Sequence, residues 1–142
     1  MLRVLMPDLV SCSGGFYSAR FQMPSCGKGR GVVVEAISLV LTHYGETEPL
    51  VSIEAIVGGV VVGLAITTKV PASGGYWRSV WSSRATQELF NAPSSDDAYL
   101  ALFPLPIRDL PYGAEVWVEA DNFGCTTGDS IAELYCLIDD DR

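Results

Sequence analysis

His43 is the only histidine in this 142-residue chain, and it stands where an apolar run gives way to a polar turn. A histidine-dependent nucleophilic site needs a hydroxyl or thiol on a tight turn and an acid that orients the ring. Neither G-x-S-x-G nor a comparable turn occurs, so His43 reads as a strand-end or surface residue. Glu35, Glu54, Glu119 and Glu133 each interrupt an otherwise apolar segment. Two carboxylates about 5–10 Å apart could hydrolyse a glycoside. Charges at alternate positions are, however, what the wet face of a sheet ordinarily carries, and that is the expected reading. Asp121, Asn122 and Asp129, or Asp96 and Asp97, could offer oxygens to calcium. Their spacing departs from the EF-hand pattern, and solvated turns are expected instead. No cofactor or resident metal is expected, and no enzymatic activity. An enzyme would require a buried acid, or His43 itself, inside a pocket.

Trp77, Trp81 and Trp117, with Tyr76, are the residues most suited to holding a ligand. Trp77 and Trp81 are four apart, so on a regular strand they share a face and could form a platform for stacking sugars. The competing expectation is that such large rings fill the core or a subunit interface. Arg20, Lys28 and Arg30 form the one basic concentration in an acidic chain and could dock on an acidic partner. The segment GKGRG at Gly27–Gly31 lacks the GK[ST] ending of a phosphate-binding loop. Cys12, Cys26, Cys125 and Cys136 show no CxxC spacing, which excludes the common zinc patterns. Without an export signal they are expected to be reduced thiols, Cys136 on a buried strand face.

Those residues must be positioned by something, and composition limits what it can be. Hydrophobic residues make up 49% of the chain and charged residues 18%, too apolar for disorder and too poor in charge for a long polar helix. The formal net charge of −8 repels phosphate, so nucleic acid is not an expected partner. The longest apolar run, Ala55 to Ile66, is far short of a membrane span and carries Gly58, Gly59 and Gly63. Met1 to Val10 has no secretory apolar core, and synthesis in the cytoplasm is expected.

The dominant period is two. Gly31–Tyr44 predicts a strand of about a dozen residues, with Val33, Glu35, Ile37, Leu39 and Leu41 on one face and Val34, Ala36, Ser38 and Val40 on the other. Its length suggests a strand that bends or serves two packing environments. Gly58-Gly59 predicts a two-residue hairpin between Leu50–Val57 and Val60–Val70. Tyr76–Trp81 and Tyr99–Phe103 predict further strands, with Pro104 and Pro106 confining the residues just beyond them to an edge or irregular path. DLPYG at Asp109–Gly113 predicts a turn, after which AEVWVEAD and SIAELYCLID alternate to the end of the chain. Ser83–Asn91 is the one helical expectation, at most two turns. Residues 1–30 form either an N-terminal arm or edge strands, and residues 31–142 the main domain. The whole predicts an antiparallel β-sandwich or jelly roll of about eight strands with one short helical insertion.

The order of long β-run, double-glycine hairpin, short helical insertion, proline-rich strand, YGAEVWVEADNFG and final alternating strand resembles the small jelly-roll proteins of tailed bacteriophage virions, of the capsid-decorating or cementing type. The resemblance covers roughly Gly31 to Ile138 and is one of pattern, so no site is carried over residue by residue. It implies a homotrimer on the outside of a phage head, bound to the major capsid protein and stabilising it without chemistry, with terminal arms reaching neighbours. A carbohydrate-binding jelly-roll module of a phage adsorption apparatus is the alternative, with Trp77, Trp81 and Trp117 exposed.

Overall fold

The computed structural model describes residues 2–25, 31–69, 75–82, 88–91, 98–105 and 109–140. Its first six strands are β1 (Leu2–Leu5), β2 (Leu9–Ser13), β3 (Phe16–Gln22), β4 (Val32–His43), β5 (Leu50–Val57) and β6 (Val60–Lys69). The next six are β7 (Gly75–Ser82), β8 (Glu88–Asn91), β9 (Ala98–Pro104), β10 (Asp109–Leu110), β11 (Glu115–Asp121) and β12 (Ser130–Asp139). Two sheets pack face to face as a sandwich. One runs β1-β12-β4-β7-β9-β8, with β10 pairing β4, and the other runs β2-β3-β11-β5-β6. All neighbouring pairs are antiparallel except β7 and β9, which run parallel.

Alternation explains the layers. Phe21 and Met23, Val51 and Ile53, and Val116 and Val118 point inward from the five-stranded sheet. Ile37, Leu39 and Leu41, with Trp77, Trp81, Cys136 and Ile138, point inward from the other. Each such side chain contributes about 1.5–3 kcal/mol on full burial. Burial also pushes the Cys136 thiol up to about 12, leaving it a small core hydrophobe.

Three expectations are corrected. The segment expected to be helical includes β8, whose Glu88–Asn91 pairs with Leu102–Tyr99 of β9; residues 83–87 lie outside the described residues. Cross-strand pairing there overrides local preference, and no helix occurs among the described residues. Second, β4 does not keep one phase. Ala36 pairs Leu137 and Val34 pairs Ile138, so Glu35 is an extra residue in a bulge. Val32 and Val34 therefore join Ile37 on the core face, while Val33 leaves it. Third, Asp109 and Leu110, expected to begin a turn, pair with Val33 and Val32 before the chain turns at Pro111. Of the two alternatives for the first residues, edge strands rather than an arm are found: β1 edges one sheet and β2 the other, while β3 lies inside its sheet with Tyr17, Ala19 and Phe21 in the core.

The Gly58-Gly59 hairpin is as expected. Both glycines have positive φ, 56° and 81°, as the primed two-residue turns require.

Candidate functional site

Two regions gather chemistry-bearing side chains, a polar corner where β4 and β11 end and the outer face of the five-stranded sheet, and a third, the sandwich's lateral edges, exposes apolar ones.

At the corner, β4 ends in His43 and a turn over residues 44–49 leads to β5. His43 is 1% exposed, so the sequence expectation of a surface position fails while that of a strand end holds. Its Nδ1 lies 2.6 Å from Asp129 Oδ2, and its Nε2 lies 2.5 Å from the Thr47 carbonyl oxygen. Asp129 collects three donors: the ring, the Tyr44 amide at 3.0 Å and the Gly124 amide at 2.7 Å. Burial alone would raise its carboxyl, but these donors hold it below the ordinary carboxylate range. Gly124 leaves room at this corner: a Cβ there would run into Thr127 Oγ1 and come 3.0 Å from Asp129 Oδ2, so those side chains would have to shift.

This arrangement is an acid–histidine pair, but the ring edge that would activate a nucleophile already faces the Thr47 carbonyl. Asp121 and Asp129 are likewise committed, Asp121 Oδ1 accepting from the Leu50 amide at 2.8 Å. The calcium reading of Asp121, Asn122 and Asp129 thus gives way to capping of backbone amides, and no metal-ligating cluster occurs among the described residues. Asp96 and Asp97 lie outside the described residues.

The same loop, residues 122–129, is fixed to β2 by a Cys12–Cys125 disulfide. The expectation of reduced thiols is corrected for this pair: antiparallel β2–β3 pairing carries Cys12 to the loop, with Cα atoms 5.8 Å apart. Cys136 is free, and Cys26 lies outside the described residues. A solvent-open cavity of about 450 Å³ lies beside the disulfide, lined by Met6, Val10, Phe123 and Leu134 with Asp129 and Glu133.

On the outer face of the five-stranded sheet, one row crosses every strand: Leu9, Arg20, Trp117, Glu54 and Leu64. Trp117 is half-buried at its centre and donates from Nε1 to Glu115 Oε2 at 2.8 Å. The Arg20 guanidinium lies 6.0 Å from the Trp117 ring and grips Asp8 with two hydrogen bonds, holding the Asp8 carboxyl below its usual range. Glu119 lies two residues beyond Trp117 and diagonal to Glu54 on the same face. Partial burial and the Glu54 charge raise its carboxyl.

The other sequence candidates separate. Trp77 and Trp81 do share a face, but it is the core face: Trp81 is 0% exposed and stacks on Phe103, and Trp77 donates to Ser79 Oγ. Neither can be a ligand platform. Lys28 and Arg30 lie outside the described residues, so of the basic cluster only Arg20 is placed. Glu133 pairs with Arg78 at 3.3 Å across Val40, which both residues flank in the sheet. Glu35 occupies the β4 bulge.

The sandwich's lateral edges are apolar. Val60, Val61, Val62 and Leu64 are exposed on β6, Val60 to 62%, and Leu2, Val4, Met6, Leu9 and Val10 are exposed along β1, β2 and their connection. The hairpin glycines were legible, but exposure on both sides of β6 was not, because alternation alone does not reveal which strand lies at an edge.

The chain matches no family model, and no curated protein is significantly similar to it.

Proposed function

We propose that this chain is a structural protein that works by assembly: a jelly-roll decoration protein that cements a phage head, self-associating as a trimer and bridging major capsid protein subunits. The carrying observation is the concentration of exposed apolar side chains at the edges of β6, β1 and β2. Edge strands present unpaired backbone groups, and proteins usually guard them with charge or proline. Here valine and leucine stand in those positions, which suits burial against a neighbour. The acidic net charge keeps the outer surfaces from non-specific contact with nucleic acid. Mass spectrometry and negative-stain microscopy of purified particles test the reading. The expected result is the chain on the head exterior in stoichiometric amount; its absence from particles would overturn it.

One observation favours a second reading, carbohydrate binding. Trp117 offers a partly exposed ring amid Glu54, Glu115, Glu119 and Arg20, a mixture of acceptors and donors suited to sugar hydroxyls. Glycan-array binding that disappears in a folded Trp117→Ala variant would support it, and no binding by the parent chain would dismiss it.

A further inference from the structure

Hydrogen-bond accounting at the polar corner fixes a protonation state. The Thr47 carbonyl can only accept, so His43 Nε2 must carry a proton. Asp129 already receives the Tyr44 and Gly124 amides, and its depressed carboxyl is an anion, so Nδ1 must carry one as well. We propose that His43 is held as a doubly protonated imidazolium and acts as a pH-operated clamp between the 44–49 turn and the 122–129 loop. Neither the assembly reading nor the sugar reading requires this device.

The ring's surroundings support the assignment. Asp129 is the charged group bonded to it, with both side chains 1% exposed. Opposite His43, β7 offers Gly75, and β12 brings Ser130 opposite Thr42. Gly45 closes over the ring, where a Cβ would come 3.2 Å from Cε1. Glu46 and Glu48 on the same turn are exposed to solvent, and Asp121 at the end of β11 is engaged by the Leu50 amide. A charged pair bonded on every side is stable in a dry site, whereas loss of one proton sets a nitrogen lone pair against a lone pair of Thr47 or Asp129. One of the two loop contacts is then lost. Where the 122–129 loop is the one freed, it remains tethered through Cys12–Cys125, so opening would be local and would widen the cavity that Asp129 lines.

A single histidine makes the test direct. Long-range proton–nitrogen NMR of the intact protein across pH should show both ring nitrogens protonated at the acid end. On raising the pH, loss of one proton should coincide with at least about a tenfold drop in hydrogen-exchange protection of the Tyr44 amide, the Gly124 amide or both, according to which contact opens, while the Val118 amide is unchanged. His43→Gln keeps a donor without the charge and should abolish that step. If it fails to fold, Asp129→Asn serves, with the ring losing its proton at lower pH than in the parent chain. A neutral ring in the folded protein at about pH 5, where free imidazole is itself charged, would overturn the proposal. So would a change of ring protonation that leaves Tyr44 and Gly124 protected.

Discussion

Strand β5 joins two unlike ends of the molecule. Where it begins, the Leu50 amide is capped by Asp121, Thr47 meets both His43 and the Asn122 carbonyl, and the neighbouring loop is fixed to β2 by a disulfide. Where it ends, two glycines turn the chain and the valines of β6 stand in solvent. Polar side chains converge at the first end because several backbone amides there lack sheet partners and must be satisfied. At the second, the hairpin closes its own hydrogen bonds, and what remains uncovered is apolar surface. The pinned end maintains the fold, while the open edge leaves apolar surface for a neighbour to cover.

Breaking the pinned end should have the largest effect. Asp129→Ala leaves the His43 ring and two amides without their acceptor and should lower stability by about 3–5 kcal/mol in urea unfolding. The variant should also show a shallower loss of stability in acid. A depressed carboxyl contributes stability that is present above its unfolded value and is lost as pH falls through its folded one. Reducing Cys12–Cys125, which spans 113 residues, should lower stability by about 2–4 kcal/mol, read from unfolding with and without reductant. At the hairpin, Gly59→Val forces a branched residue to positive φ and should lower stability by about 1–2 kcal/mol, seen as a reduced denaturation midpoint. On the open edge, Val61→Glu with Leu64→Glu should change protomer stability by within about 0.5 kcal/mol per site, with far-ultraviolet dichroism unchanged. An edge substitution that unfolds the protomer would erase the contrast between the two ends.

The sequence revealed what is local. Alternation in Glu115–Asp121 and Ser130–Asp139 located two strands, and two adjacent glycines located a hairpin, because each signal lies within a few residues. The core positions of Trp77 and Trp81 agreed with their spacing once the face was known; spacing alone could not say which face was inside. His43 and Asp129 are 86 residues apart, and Cys12 and Cys125 are 113 apart. Nothing near either partner marks the other, since strand order across two sheets creates both contacts. The bulge at Glu35 was hidden for a related reason: alternating valines read equally well in either phase, and pairing with Ala36–Leu137 and Val34–Ile138 selects between them. Helical preference in Ser83–Asn91 yielded at Glu88–Asn91 to a partner strand beginning ten residues further along.

Sedimentation velocity of the purified chain beside its Val61→Glu/Leu64→Glu variant addresses the assembly reading most directly. The parent chain should sediment as a trimer and the variant, still folded, as single copies. A parent chain that stays a single copy at the highest concentration reached would contradict it.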